Sequence, residues 1–220
     1  MHRIIENLMF KFLNFQINYL YKKNFRKYGE SHKSVFWNSQ FNQFKRYEEI
    51  LELIIKKEGI ENKTEISDVG CGYGALYKLL NKENKFKTII YSGIDINKEF
   101  INFCKNKFNK KIFFCTPFPP KMVDYCVMSG TYNLTKTKNI KLWENYIYNN
   151  LIQCSKKVKK GLVFNLQFSK TAKIHNNIFY CEPIKIRKLF ADDFNVFFKI
   201  SGALKNDVIF VLYKKDIIKN

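Results

Sequence analysis

The stretch ISDVGCGYG at positions 66–74 decides the fold class of this chain. An apolar run with a single acid leads into a loop with glycine at every second position, and a helix-like segment follows at 75–80. Turning a strand into a helix within a few residues requires backbone angles that a Cβ atom hinders. The pattern therefore predicts a strand, a tight glycine loop and a helix N-terminus, an arrangement that lets backbone approach a nucleotide-type cofactor.

Apolar runs alternate with helical stretches along the rest of the chain. Strands are predicted near 64–69, 88–95, 111–115, 123–129, 160–167, 193–200 and 207–213, and helices near 75–83, 98–108, 140–158 and 183–190. This alternation predicts an α/β fold with a doubly wound, mostly parallel seven-stranded sheet. The last two strands are joined by a short loop, so we expect them to form a C-terminal antiparallel hairpin.

The first residues predict an amphipathic helix. The apolar side chains at helical spacing are Ile5, Leu8, Phe12, Phe15 and Tyr19. We expect this face to pack on the domain, with binding at a membrane surface as the alternative. Polar residues interrupt the segment, and no apolar stretch reaches the length that a transmembrane helix needs.

The composition argues against several classes of site. The formal net charge is +20, but the lysines are spread along the chain and arginine, the preferred residue for bidentate phosphate contacts, is scarce. A solvated basic surface is therefore favoured, with an RNA-binding face as the alternative. The six cysteines form no C-x-x-C pair and the three histidines lie far apart, so we expect a reducing cytoplasm and no metal site.

Two cofactor classes fit the glycine loop. Gly70, Gly72 and Ala75 satisfy the G-x-G-x-x-G/A pattern of dinucleotide binding. The same loop, read as Asp68 followed by Gly70, Gly72 and Gly74, fits the D/E-x-G-x-G-x-G pattern of enzymes that use S-adenosylmethionine (SAM). We favour SAM, because the Asp68 carboxylate suits an ammonium group and opposes a pyrophosphate. The C-terminal hairpin supports the same choice.

A second acid ends the next predicted strand. Asp95 lies 25 residues after Gly70, a position from which a carboxylate can accept hydrogen bonds from both ribose hydroxyls. A carboxylate at this position would bind the ribose of SAM and the ribose of NAD equally well, so it does not distinguish the two cofactors. The alternative is that Asp95 caps the helix predicted from position 98.

With these motifs, positions 28–214 resemble small bacterial class I SAM-dependent methyltransferases. The resemblance rests on DVGCGYG at 68–74, GIDI at 93–96, DYCVMSGTYN at 124–133 and GLVFN at 161–165. It implies a helical cap segment at 1–60 and a single Rossmann-like SAM-binding methyltransferase domain at 61–220. The adenine site departs from the family, because the place of its usual acid reads FCTP at 114–117, which leaves Thr116 or a backbone carbonyl.

The resemblance also implies roles for individual residues. The implied cofactor-binding residues are Asp68, Gly70, Gly72, Gly74, Asp95, Ile96, Ser129 and Gly130. Among them Asp68 supports the amino end of SAM, Asp95 holds the ribose and Ile96 packs on the adenine. The residues implied at the acceptor or in the cap are Trp37, Arg46, Tyr132 and Asn133.

These observations predict a cytoplasmic methyltransferase that uses SAM and acts on a small-molecule or glycan-type acceptor. Methyl transfer from SAM is an in-line displacement. Alignment of the acceptor with the methyl group can lower its activation free energy by about 7–11 kcal/mol, so a general base is optional. For a hydroxyl acceptor, His175 is the candidate base. The alternatives are an RNA methyltransferase, an NAD-type oxidoreductase and a non-catalytic SAM-binding protein. An RNA enzyme needs a basic face beside the cofactor cleft, whereas a small-molecule enzyme needs a pocket capped by the N-terminal segment.

Overall fold

The chain folds into one twisted sheet with helices on both faces. The computed structural model describes residues 2–215, with side chains described from residue 4 onward. The helices are α1 His2–Tyr28, α2 Gln40–Glu58, α3 Ala75–Lys82, α4 Lys98–Lys107, α5 Ile140–Ser155 and α6 Pro183–Phe190. The strands are β1 Thr64–Val69, β2 Ile89–Asp95, β3 Phe113–Cys115, β4 Val123–Met128, β5 Val158–Phe168, β6 Lys173–His175, β7 Ile178–Cys181, β8 Phe194–Ile200 and β9 Asp207–Lys214.

The sheet topology confirms the predicted α/β fold. Strands β3, β2, β1, β4 and β5 are neighbours in that order and run parallel. Strand β9 pairs antiparallel with β5, and β8 pairs antiparallel with β9, so the predicted C-terminal hairpin is present. The short hairpin β6–β7 was not predicted; it extends the sheet at the carboxyl end of β5 through Gln167 and Phe168.

The core lies on both faces of this sheet. Buried side chains of α2, α3 and α4 form one cluster, and those of α5 and α6 form the other. Helix α2 belongs to the predicted cap, yet it contributes Ile50, Leu51 and Ile54 to the same cluster as α3 and α4. The domain boundary at residue 60 therefore stays a prediction.

Helix α1 spans from one face of the sheet to the other. Its first half contacts α5, where the rings of Phe10 and Tyr146 lie 5.6 Å apart. Its second half contacts α4, where the rings of Phe25 and Phe100 lie 4.6 Å apart. No helix within residues 2–215 is long and apolar enough to cross a membrane.

The face of α1 that packs is not the predicted one. The side chains that contact the core are Phe10, Leu13, Ile17, Tyr21 and Phe25. The residues predicted to pack, Ile5, Leu8, Phe12, Phe15 and Tyr19, are between 52% and 68% exposed. The prediction was wrong because α1 carries apolar residues on both sides, and periodicity alone does not choose between two apolar faces.

The pairing of β5 with β9 depends on a close approach of two backbones. A Cβ atom at Gly161 would lie 2.2 Å from the carbonyl oxygen of Leu212. We expect Gly161→Ala to lower the free energy of unfolding by about 3 kcal/mol, because backbone in a central sheet moves little to relieve such overpacking. Urea denaturation measures the change.

Gly202→Ala is the matched control for this substitution. A Cβ atom at Gly202 would meet only Glu49 Oε1, at 3.9 Å, so the free energy of unfolding should change by less than about 0.5 kcal/mol. Equal losses in the two variants would contradict the close approach of β5 and β9.

Candidate functional site

The glycine loop after β1 adopts the backbone that the sequence predicts. Gly70 and Gly72 have φ angles of 79° and 54°, in the left-handed region that side chains disfavour. The amides of Gly70 and Cys71 both donate to the carbonyl oxygen of Ile94, at 2.8 and 3.0 Å. These bonds fix the loop against the end of β2, so the ends of the two strands form one unit.

The loop lies at the floor of a cleft at the carboxyl edge of the sheet, with a volume of about 1020 Å³ including its open mouth. The predicted site residues that line the cleft are Trp37, Gly70, Gly72, Asp95, Ile96, Ser129, Gly130 and Tyr132. One end also includes Thr116 and Pro117, where the sequence placed the adenine.

Five predicted site residues do not line the cleft: Asp68, Gly74, Arg46, Asn133 and His175. Gly74 is the N-cap of α3, directly behind the loop. Asn133 accepts a hydrogen bond from the Gln167 amide at 3.1 Å and thereby joins the β4 loop to β5. His175 is exposed on the β6–β7 hairpin and does not line the cleft, so its function as a general base stays a prediction.

Asp95 is held in a fixed orientation by the backbone around it. Its Oδ2 atom accepts from the Gly72 amide at 3.0 Å, and its Oδ1 atom accepts from the Asn97 amide at 2.8 Å. Burial nevertheless raises the pKa of Asp95 to about 6, partly offset by these bonds. The side chain of Asn97, not that of Asp95, caps α4, so the alternative assignment of Asp95 as a helix cap is wrong.

Asp68 lies beneath the loop. Its side chain is buried, and the Tyr91 hydroxyl donates to its Oδ2 atom at 2.9 Å. Burial raises the pKa of Asp68 to about 7. Burial and, after it, the charge of the Asp68 carboxylate raise the pKa of Tyr47, a residue that does line the cleft, so Asp68 is near the cleft wall without forming it.

Helices α1 and α5 form a wall that the sequence reasoning missed. This wall consists of Asn14, Ile17, Asn18 and Tyr21 from α1 and of Tyr146 and Asn150 from α5. The Tyr146 hydroxyl donates to Asn14 Oδ1 and joins the two helices across the cleft. The sequence does contain a signal for this wall. Asn14 and Asn18 are four residues apart within the otherwise apolar pattern of α1, so they form a polar strip on one side of that helix.

Two buried polar atoms at the cleft have no hydrogen-bond partner among the described residues. They are Asn18 Oδ1 on the α1 wall and Ser129 Oγ after β4. Buried polar atoms are nearly always satisfied, so these two fit a site that a polar ligand completes. Together with the glycine backbone and the Asp95 carboxylate, they give the cleft donors and acceptors for a polar ligand.

The cleft is nearly free of charge. Among the residues that line it in the described part of the chain, Asp95 is the one with a formal charge, and lysine, arginine and histidine are absent. No group of three or more His, Cys, Asp or Glu residues within this part could hold a metal ion. The lysines that give the chain its charge therefore lie outside the cleft.

Arg46 supports the cleft from behind. Its guanidinium is buried on the Trp37 ring, 4.2 Å from the centroid, and forms an ion pair with Asp207 Oδ1 at 3.0 Å. The Asn165 side chain donates to the same Asp207 oxygen at 2.7 Å and accepts from the Gly130 amide at 2.6 Å. Arg46 thus acts on the cleft through Trp37 and Gly130, and its predicted contact with the acceptor stays a prediction.

A curated protein of Mycobacterium tuberculosis (strain ATCC 25618 / H37Rv) bears the name "Putative methyltransferase Rv1506c". It is 30% identical to this chain over 123 residues, which cover 54% of this chain and 73% of that protein. No family model matches the chain.

Solved structures share the fold at low identity. A SAM-dependent methyltransferase of Leishmania major has a TM-score of 0.63 at 14% identity, over 89% of this chain and 83% of that one. The plantazolicin methyltransferase BpumL, in complex with a monoazolic desmethylPZN analog and SAH, has a TM-score of 0.57 at 15% identity. That match covers 96% of this chain and 99% of BpumL.

The buried pair of Arg46 and Asp207 generates a prediction about stability. We expect Arg46→Ala to lower the free energy of unfolding by about 3–5 kcal/mol, because it leaves a buried carboxylate without its counterion. Urea denaturation measures the change. In the control Lys85→Ala, loss of the exposed pair with Glu52 should cost less than about 1 kcal/mol. A loss in Arg46→Ala no larger than in the control would contradict this role.

Proposed function

Because this chain belongs to the Rossmann-like SAM-dependent methyltransferases, we propose that it transfers the methyl group of SAM to a small, uncharged acceptor held beneath α1. One observation carries the proposal about the acceptor. The cleft is walled by α1 and α5 and has no cationic side chain among its described lining residues. A polyanionic acceptor would require lysine or arginine at this position.

The cofactor half of the proposal assigns the glycine side of the cleft to SAM. Asp95 accepts hydrogen bonds from the ribose hydroxyls, since its carboxylate is already oriented by Gly72 and Asn97. Ile96 and Thr116 contact the adenine at the other end of this side. The Gly70–Gly72 backbone lies along the methionine part, with the Asp68 carboxylate nearby to favour its ammonium group.

The acceptor half of the proposal assigns the α1–α5 side to the second substrate. When bound, SAM supplies a methyl group already activated on a sulfonium, so the protein mainly has to align the acceptor and exclude water. Asn14, Asn18 and Asn150 offer neutral donors and acceptors for this alignment. Tyr132 and Tyr146 supply apolar rings around them.

Among the described residues that line the cleft, no side chain is placed as a general base for a hydroxyl acceptor. His175 lies on an exposed hairpin, and Asp95 is engaged by two backbone amides. We therefore infer an acceptor atom that is nucleophilic without a protein base, which favours a small molecule over a glycan hydroxyl. The lining also disfavours RNA, because it includes no lysine or arginine among the described residues to contact phosphates.

Calorimetric titration tests the cofactor site. We expect SAM and S-adenosylhomocysteine to bind and NAD not to bind. Asp95→Asn should weaken SAM binding by about 10- to 100-fold, because a hydrogen bond to a charged group is lost. Asp193→Asn, at an exposed carboxylate after α6, is the matched control and should bind like the wild type. Binding of NAD alone would overturn the proposal.

The pH dependence of SAM binding provides a second test. Ribose hydroxyls donate to an ionised carboxylate, and the pKa of Asp95 is about 6. The association constant should therefore fall as pH drops through about 6, with a slope approaching tenfold per pH unit. Asp95→Asn should lose this inflection, whereas Asp68→Asn should retain it. An inflection that survives in Asp95→Asn would contradict the ribose assignment.

Radiolabelled methyl transfer tests the acceptor. The purified protein is incubated with methyl-labelled SAM and, separately, with a fractionated small-molecule extract and with total RNA. We expect label in an uncharged small-molecule fraction, and label in RNA would overturn the proposed acceptor class. His175→Ala should change the rate by less than about twofold, since this side chain does not line the cleft.

A further inference from the structure

The outer face of α1 carries a contiguous set of exposed apolar side chains. We call it the α1 stripe, and it consists of Ile4, Ile5, Leu8, Phe12, Phe15 and Tyr19, each between 52% and 68% exposed. Soluble proteins rarely leave an apolar patch of this kind uncovered unless it binds a partner or a membrane. Exposed apolar residues such as Phe41 and Phe197 lie instead on separate elements.

The α1 stripe is a single face of the helix. From Ile5 to Tyr19 its members recur at spacings of three and four residues, and Ile4 lies four residues before Leu8, which places them on one side of an α-helix. The opposite side, with Leu13 and Ile17, packs on the core. The stripe is therefore free for contact while the helix stays fixed to the domain.

Basic residues lie on the same exposed side of α1 as the stripe, beside it and toward the C-terminal end of the helix. Lys11 lies beside the stripe, and Lys22, Lys23, Arg26 and Lys27 occupy the last two turns. Glu99 of α4 neutralises part of this charge, since it pairs with Arg26 at 2.5 Å and contacts Lys22 at 3.4 Å. The acid of α1 itself, Glu6, is half-buried and accepts a hydrogen bond from Asn145. The exposed side is therefore apolar and cationic.

We propose that the α1 stripe docks on an anionic lipid surface, with the helix lying in the plane of the interface. Aromatic and aliphatic side chains flanked by lysine match the chemistry of that interface, because the rings enter the acyl boundary while the ammonium groups contact anionic headgroups. Charge disfavours a second copy as the partner, since two faces of the same positive sign repel each other in a chain of net charge +20.

The proposal has a consequence for the cleft but does not depend on the acceptor. The inner side of the same helix contributes Asn14, Asn18 and Tyr21 to the cleft wall. Docking of the stripe would thus bring the roof of the cleft to the lipid surface. Binding to vesicles and binding of SAM are separate measurements, so either can fail alone.

Vesicle flotation with the full chain tests the docking. Vesicles of phosphatidylcholine alone are compared with vesicles that also contain about 30% phosphatidylglycerol, and we expect at least about tenfold stronger binding to the anionic ones. Raising the salt concentration should weaken this binding by screening the lysines. Equal or absent binding to the two vesicle types would overturn the proposal.

Substitutions within the α1 stripe test whether it is the surface that binds the vesicles. The triple variant Leu8→Ser, Phe12→Ser and Phe15→Ser should lose at least about tenfold in vesicle binding, because its apolar area no longer enters the lipid. The matched control, Phe41→Ser with Phe197→Ser, removes exposed aromatics elsewhere and should bind vesicles like the wild type. Unchanged SAM affinity in the triple variant shows that the fold is retained.

Charge and self-association are tested separately. Lys23→Gln with Lys27→Gln should weaken binding to the anionic vesicles, whereas Lys56→Gln with Lys110→Gln, at exposed sites in α2 and in the turn after α4, should not. Sedimentation velocity then reports the oligomeric state. A dimer of the wild type that the stripe variant abolishes would make a second copy the partner and overturn the lipid proposal.

Discussion

The cleft depends on the contact between the glycine loop and the end of β2. The Gly72 amide donates to the Asp95 carboxylate, and the amides of Gly70 and Cys71 donate to the carbonyl oxygen of Ile94. These bonds tie the ends of two neighbouring parallel strands into one rigid unit. The Asp95 carboxylate is thereby held in one orientation, and a group oriented in advance loses little conformational freedom when it binds a ligand.

A second constraint comes from residues that are distant in sequence. The buried Arg46 guanidinium joins α2 to Asp207 of β9, and Asn165 carries this network on to the Gly130 amide beside the cleft. A buried ion pair contributes little stability by itself, but loss of one partner is costly. The network therefore holds Trp37 and the loop after β4 at a fixed distance from each other.

Helix α1 combines two surfaces with different chemistry. Its inner side supplies asparagines to the cleft and apolar side chains to the core, whereas its outer side is apolar and cationic. An apolar pattern around most of a helix usually means complete burial. Here one apolar side of the helix meets the core and the other meets solvent.

The sequence by itself determined the alternation of strands and helices that builds the mostly parallel sheet, and also the C-terminal hairpin. It likewise determined the glycine loop and the position of Asp95 at the end of a strand. Each of these depends on local backbone geometry or on short-range periodicity. Family membership followed from these motifs together with the relative at 30% identity. The tertiary structure alone decided which face of α1 packs, that Arg46 lies behind Trp37, that His175 does not line the cleft, and that Asn14, Asn18 and Asn150 do. These facts depend on contacts between segments far apart in the chain, and no local pattern encodes such contacts.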